Sequence, residues 1–263
     1  MSSRKPHSKN KSRESIFDLH PDIYEAMIPW EKRLARELPF IQSVLEKNRV
    51  RKVLDIGCGP GHHAVALQQA GYKVTGLDNS LPMVKYARNQ ALKSGSSVRF
   101  IQGDVLKLAA TLSSRYDAIM ALGNMLAGLP DKDSLEMALE QIHACLNPGG
   151  VFFLQVLNYQ KLLVPGAYDI PPRPFEWKGT PGLFLRHFEK ETNQVQTAFI
   201  LLLQKEGQWE SEFHLGHHLL FSKKLLKESL LKAGFTKLKF RSGYEIKPSS
   251  PPGSNDIIVV ANA

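Results

Sequence analysis

The run Val53-Leu54-Asp55-Ile56-Gly57-Cys58-Gly59-Pro60-Gly61 is apolar up to an acid and then carries glycine at every second position. It reads as a strand entering a tight turn that opens a helix. Glycine there lets backbone approach a ligand where a Cβ would block it. A second run, Val74-Thr75-Gly76-Leu77, ends in Asp78. A carboxylate at a strand end can accept from both hydroxyls of a ribose. Together these two places predict an adenosine cofactor lying across the carboxyl ends of a parallel sheet.

Glycine spacing separates the candidate cofactors. Nicotinamide enzymes use G-x-G-x-x-G, with a pyrophosphate on the helix amino end. This chain has G-x-G-x-G, with Pro60 before the last glycine. A third apolar run, Val98 to Gln102, closes on Gly103-Asp104, and an acid there can accept from an adenine amine. The set resembles the class I S-adenosylmethionine-dependent methyltransferases. That resemblance implies S-adenosyl-L-methionine as cofactor. Gly57, Gly59 and Gly61 then line its methionine part, Asp78 holds the ribose, and Asp104 and Val105 face the adenine, flanked by Asn79 and Met83. Asp55, Gly103 and Leu122 complete the cofactor-binding set. Asn124, after the fourth strand, faces the transferred methyl, and its competing role is to cap that strand end.

The elements that must position these residues alternate. Strands are expected at Val50–Ile56, Lys73–Leu77, Val98–Gln102, Ala118–Leu122 and Val151–Leu157, with helices at His62–Ala70 and Pro82–Lys93. Asp133-Ser134-Leu135-Glu136 reads as a capping box opening a helix to Leu146, which Asn147-Pro148-Gly149-Gly150 stops. Ahead of them, Ile23, Met27, Trp30, Leu34, Leu38, Ile41 and Leu45 recur at helical spacing, with Pro29 and Pro39 expected to break the helix. Pro165, Pro171, Pro172, Pro174 and Pro181 predict a long irregular loop. Strand-like stretches follow at Leu183–Glu189, Val195–Lys205 and Glu210–Phe221, then a helix from Ser222 ended by Gly234, and a closing hairpin, Phe235–Arg241 with Ile257–Ala261.

The expected fold is α/β: a doubly wound, seven-stranded, mostly parallel sheet with an antiparallel β insert between the fifth strand and the following helix. Its expected divisions are a disordered basic tail (1–13), a helical cap (14–49), a cofactor-binding core (50–158), a β insert covering the substrate (159–221) and a segment completing the core sheet (222–263).

Asp117 to Asn124, Leu129-Pro130-Asp131, and Asn147 to Gly150 followed by Leu157-Asn158-Tyr159 resemble the glycine N-methyltransferase group more closely. That group also has the insert and an amino-terminal segment that closes over the cofactor. The resemblance implies Arg33 for the cofactor carboxylate, with Arg36 as rival. It places Asn124 and Tyr159 at the reacting centre and Asn158 at the mouth of the crevice. Tyr24 and Trp30 can cover cofactor or substrate, with plain helix packing the simpler role for Trp30. Arg186 and His187 lie in the insert, where specificity is set. In the glycine enzymes an arginine precedes the Asn-Tyr pair. Leu157 stands there in this chain and cannot form a charged fork, which argues against glycine as acceptor.

Composition sets the remaining bounds. A chain of 263 residues, 43% hydrophobic, suffices for one sizeable core. Two cysteines, Cys58 and Cys145, make no disulfide framework, and a reducing cytoplasm is the expected compartment. No run reaches membrane-spanning length, and the amino terminus lacks the apolar core of a secretory signal. The net charge of +9 raises nucleic acid as a partner. Yet Arg4, Lys5, Lys9, Lys11 and Arg13 all precede the first acid, Glu14, so over half of that charge sits in the tail. Gly123-Asn124-Met125-Leu126 also lacks the Pro-Pro-aromatic sequence of base-amine methyltransferases. His214, His217 and His218 look like a metal cluster, but 217 points away from the other two on a strand, and no metal is expected. The expected function is methyl transfer to a small-molecule N or O acceptor. The alternatives are an RNA or other nucleic-acid methyltransferase and a non-catalytic cofactor-binding protein. A homo-oligomer stays open.

Overall fold

The computed structural model describes residues 20–164, 166–245 and 255–263. The basic tail and residues 14–19 of the expected cap lie outside them, as do Pro165 and most of the last loop. The strands in chain order are β1 Lys52–Ile56, β2 Lys73–Asp78, β3 Arg99–Gln102, β4 Tyr116–Ala121, β5 Leu146–Leu157, β6 Ala167–Trp177, β7 Thr180–Lys190, β8 Gln194–Lys205, β9 Gln208–Leu219, β10 Thr236–Arg241 and β11 Asp256–Asn262. Seven form one sheet in the order β10-β11-β5-β4-β1-β2-β3. β1 to β5 run parallel, and β11 lies antiparallel between β5 and β10. Strand order reverses at β1, beside which the chain crosses to β4. Ligands of open α/β sheets bind in the crevice at such a point.

Helices cover both faces: α1 Pro21–Met27, α2 Trp30–Lys47, α3 His62–Gln69, α4 Leu81–Lys93, α5 Leu108–Thr111, α6 Lys132–Ala144, α7 Tyr159–Leu162 and α8 Lys223–Lys232. Phe40, Ile41, Val44 and Leu45 of α2, Leu67 of α3 and Val84 of α4 bury against Val53, Met120 and Phe153 on one face. Leu135, Leu139 and Ile142 of α6 and Leu226 and Leu230 of α8 bury against Leu54, Ile56, Phe152 and Leu154 on the other. Adjacent residues of β1 thus feed opposite cores, as the pleat requires.

β6 to β9 form a separate four-stranded antiparallel sheet between α7 and α8. The expected irregular loop is therefore a correction: Pro171, Pro172 and Pro174 lie within β6. β6 is an edge strand, and its register with β7 slips between Ile170 and Arg173. An edge strand needs only half its amides, so proline's missing donor is tolerated there.

Three further expectations change. α2 runs unbroken through Pro39, and the break falls at Ile28-Pro29. Pro39 and Ala35, whose carbonyl loses its partner, are both exposed, so water can take that carbonyl. Asn147 to Gly150 do not separate helix from strand. They lie within β5 as an irregularity, where pairing with β4 slips between Tyr116–Leu146 and Ala118–Val151. The N-cap of α6 is Asp131, whose Oδ1 accepts from Ser134 N at 2.7 Å. Asp133 lies inside the first turn, and Glu136 pairs with Lys132 and Lys232 instead.

Asp131→Ala is expected to lower the urea midpoint, as a lost N-cap does, and Asp133→Ala to lower it less. Equal losses would return the cap to Asp133.

Candidate active site

The glycine turn has left-handed backbone at Gly57 (φ 65°), Gly59 (φ 53°) and Gly61 (φ 88°). Two of these glycines serve packing: a Cβ on Gly57 would stand 2.3 Å from Met125 Cγ, and one on Gly61 would stand 2.6 Å from Phe100 Cζ. Only Gly59 has open space where its side chain would be. The turn is strapped to β2 by two bonds, Cys58 N to Leu77 O at 3.1 Å and Gly59 N to Asp78 Oδ2 at 2.8 Å. Asp78 Oδ1 also accepts from Ser80 N at 2.9 Å. These bonds orient the Asp78 carboxylate at the mouth of the turn. Asp55 is buried at the end of β1, and burial, reinforced by the Asp78 charge, pushes its carboxyl up to about 7 against the pull of Arg33.

Asn79 and Asp104 are exposed beside this turn, while Met83, Val105 and Leu122 are buried around it. Asp104 Oδ1 accepts from Leu106 N at 2.9 Å, which caps the short helical turn after β3. Gly103 N donates to Asp78 O at 2.9 Å, tying the β3 end to the β2 end. The expected cofactor-side residues therefore gather along one edge.

The amino-terminal helices are clasped to the same end. His62 Nε2 lies 2.8 Å from Glu25, and Trp30 stacks on His62 with centroids 4.3 Å apart. Glu37 is 2% exposed and meets Arg33 at 3.2 Å, Arg36 at 2.8 Å and His63 at 2.9 Å. Burial alone would raise its carboxyl, but the His63 bond and the Arg33 charge dominate and hold it down at about 2. Of the two rival arginines, Arg33 reaches the sheet, with Nη2 3.3 Å from where a Cβ on Gly123 would be. Arg36 leaves 62% of its side chain exposed.

Asn124 is the hub on the other side of the crevice. Its backbone is left-handed at φ 66°. Its Oδ1 accepts from Leu157 N at 2.8 Å, and its Nδ2 donates to Tyr159 Oη at 3.0 Å. Tyr159 is fully buried and its hydroxyl lies 2.5 Å from His218 Nδ1. Burial, with His217 adding, pulls His218 down to about 4. Its ring is thus neutral at pH 7, and Nδ1 shares a hydrogen bond with the Tyr159 hydroxyl. The structure brings the expected pair Asn124 and Tyr159 together and joins β4, β5 and the insert through them. Both side chains are occupied by these internal bonds, so they position the site rather than present free groups to a substrate.

The acceptor-side residues divide. Tyr24 packs edge-on to Trp30 at 6.0 Å, inside the cap. Arg186 lies on the inward face of the insert, in electrostatic contact with Tyr24 and Tyr159. His187, the next residue along the pleat, faces the other way and pairs with exposed Asp169 at 2.8 Å. Asn158 caps α7 and lines a cavity of ≈ 540 Å³ with Lys161, Ser222, Lys223 and Lys224, away from Asn124. Among the described residues no three His, Cys, Asp or Glu side chains converge for a metal, and no helix is long and apolar enough to cross a membrane.

Residues 53–150 match the family model described as a methyltransferase domain. The glycine/sarcosine N-methyltransferase of Halorhodospira halochloris is 33% identical over 156 residues, covering 59% of this chain and 58% of that one. A ubiquinone biosynthesis O-methyltransferase of Salmonella arizonae is 38% identical over 111 residues, covering 41% and 43%. The chain therefore spans about half the length of these curated relatives. Among solved structures, a sugar N-methyltransferase from a Streptoalloteichus species superposes with a TM-score of 0.76 at 18% identity, covering 100% of this chain and 98% of that one. An S-adenosylmethionine-dependent methyltransferase from Clostridium acetobutylicum gives 0.75 at 17%, covering 93% and 96%. These likenesses show the fold.

The matched residues hold the glycine turn, Asp78, Asp104 and Asn124. The cap and the insert lie outside the matched residues. Sequence reading missed Glu37, His63, Glu25 and His218 as members of the site. One signal was available for Glu37: it falls three and four residues before Phe40 and Ile41, on the stripe of α2 that faces the core. His218 had no local signal, because its partner Tyr159 is reached only through the insert's fold.

Glu37 is more acidic folded than unfolded, so its contribution is present above about pH 4.5 and is lost as pH falls towards 2. At full ionisation that shift corresponds to on the order of 3 kcal/mol. Urea unfolding at stepped pH should show Glu37→Gln less stable at pH 7 and with a flatter decline between about pH 4.5 and 2 than the parent. Parallel curves would remove the pairing.

Proposed function

We propose that the protein is an S-adenosylmethionine-dependent methyltransferase that transfers a methyl group to the nitrogen or oxygen of a small molecule by in-line displacement. The observation that carries this reading is the join of the β1 turn to the β2 end, with the Asp78 carboxylate oriented by Gly59 N at the switch point of a methyltransferase domain. The fit to the cofactor rests on three features of that join. Gly59 leaves open space over a left-handed turn, a buried carboxylate stands beside it, and a guanidinium overhangs Gly123.

On this reading Gly57, Gly59 and Gly61 border the methionine part, with Arg33 on its carboxylate. Asp78 takes the ribose hydroxyls, Asp104 and Val105 face the adenine, and Asn79 and Met83 flank it. Asp55, Gly103 and Leu122 shape the floor. When bound, the cofactor supplies a methyl on a sulfonium that is its own leaving group. The chain's task is then alignment and exclusion of water, and alignment is worth about 7–11 kcal/mol in favourable cases. Asn124, Tyr159 and His218 hold the ends of β4 and β5 in register with the insert, and Tyr24 and Arg186 line the acceptor side. Names of the relatives, acting on nitrogen and on oxygen, support small-molecule transfer without choosing between the two. Nucleic acid is disfavoured because Asn124 spends both ends of its amide internally.

Two experiments test this. A screen of small amines, phenols and carboxylates, scored by S-adenosylhomocysteine release, should find an acceptor, whereas turnover on RNA alone would sink the small-molecule reading. Asp78→Ala should weaken S-adenosylmethionine binding about 10–100-fold by calorimetry, the scale of a lost hydrogen bond to a charged group. An unchanged Kd would take Asp78 out of the site.

A further inference from the structure

The inward face of the insert carries two guanidinium groups, Arg186 and Arg173, without an ion pair among the described residues, and Arg173 Nη1 donates to Met27 O at 3.4 Å. Pairing across β7, β8 and β9 sets Arg186, Phe199 and His214 in one row, and Phe188, Thr197 and Gly216 in the next. On β6, Ile170 stands opposite Arg186 and Arg173 stands opposite Phe184, one row away on the same face. Arg186 lies 5.5 Å over the Phe184 ring and near enough to Arg173 for the two to repel. Four acids of α1 and the insert are engaged elsewhere: Asp22 with Trp177 and Lys178, Glu25 with His62, Glu212 with His20, and Asp169 with His187. Among the described residues, none forms an ion pair with Arg186 or Arg173.

Two more donors on this face lack acceptors. Thr197 is 1% exposed and its Oγ1 has no hydrogen-bond partner. Gly216, opposite it, puts no side chain over that hydroxyl. His214 Nε2 is buried without a hydrogen bond, 3.6 Å from Glu212 Oε2. Half-buried guanidinium groups that repel each other, beside unsatisfied donors, are costly unless an anion completes them.

We propose that Arg186 and Arg173, with Thr197 beside them, form an oxyanion subsite for the methyl acceptor, which therefore bears a carboxylate or a phosphate group. This rests on the methyltransferase reading and narrows its substrate class. The planar fork of arginine suits either group. The site also supplies from the insert the cation that Leu157 cannot supply from the end of β5. Bound there, the anionic end of the acceptor lies between the cap residue Tyr24 and the Asn124–Tyr159–His218 tie, so its other end can point towards the glycine turn.

The test uses acetate and inorganic phosphate as probes, titrated at constant ionic strength into the full chain saturated with S-adenosylhomocysteine. The readout is the arginine Nε–Hε resonance that disappears in Arg186→Gln. A saturable shift of that resonance by acetate or phosphate, not reproduced by chloride, is expected. Arg173→Gln should weaken the effective probe at least tenfold without changing S-adenosylhomocysteine affinity. Preference for acetate identifies a carboxylate acceptor, and preference for phosphate identifies a phosphorylated one. No shift beyond chloride, or equal affinity in Arg173→Gln, overturns the subsite. Failure to bind S-adenosylhomocysteine instead overturns the methyltransferase reading, and the ion titration on the free protein still decides the subsite.

Discussion

The bond on which the crevice depends is the one from Gly59 N to the Asp78 carboxylate. The ladder of parallel strands β1 and β2 ends at their carboxyl ends, and one further backbone bond, Cys58 N to Leu77 O at 3.1 Å, carries it into the turn. Asp78 extends the pairing by one side chain and fixes the turn in its left-handed course. Gly103 N, donating to Asp78 O, extends the same device to β3. Three strand ends are thus set at one height by one residue. The arrangement concentrates negative charge: Asp55 and Asp78 are both buried there, and Asp55 responds with a carboxyl lifted to about 7. Arg33, overhanging from the cap, is the nearby cation that offsets it.

The cap is consequently more than a cover. Arg33 is held by Glu37, and Glu37 is held by His63 at the start of α3, directly after the glycine turn. Turn, helix and cap form a closed circuit of charge-assisted bonds in a region shielded from water, where such bonds are stronger than at a surface. The far side of the crevice is joined differently. Asn124, Tyr159 and His218 are linked by neutral hydrogen bonds, and a His218 ring pulled down to about 4 keeps that link uncharged across the physiological range.

How much of this was legible in the chain follows from the range of the interactions. The glycine turn, Asp78, Asp104 and the alternation of strands and helices are local patterns, and each is where its spacing predicts. The edge strand β6 was not legible because its prolines are excluded from a strand only if both sides must pair, and which strand is an edge is a property of the assembled sheet. Pro39 misled for the same reason, since exposure of Ala35 decides whether a broken helix bond matters. His187 and Arg186 show the limit most sharply. They are neighbours in sequence, and the pleat sends one to solvent and the other inward, a choice that depends on which face of the insert meets α1.

That division of range maps onto a division of function. The match to the methyltransferase-domain model ends at Gly150, before most of β5 and before the whole insert. The glycine turn, Asp78 and Asp104 lie within it and follow from short-range signals, whereas Arg33 comes from α2, outside it. What would discriminate one acceptor from another lies outside it, on a four-stranded sheet that touches the core through Tyr159 and α1 through Phe184, Leu201 and Leu203. An inward Arg186 that lies over the Phe184 ring and repels Arg173 is stabilised further when something negative completes it. The acceptor's own charge is the simplest such completion, so the insert constrains the substrate by the burial cost it leaves unmet rather than by a sequence motif.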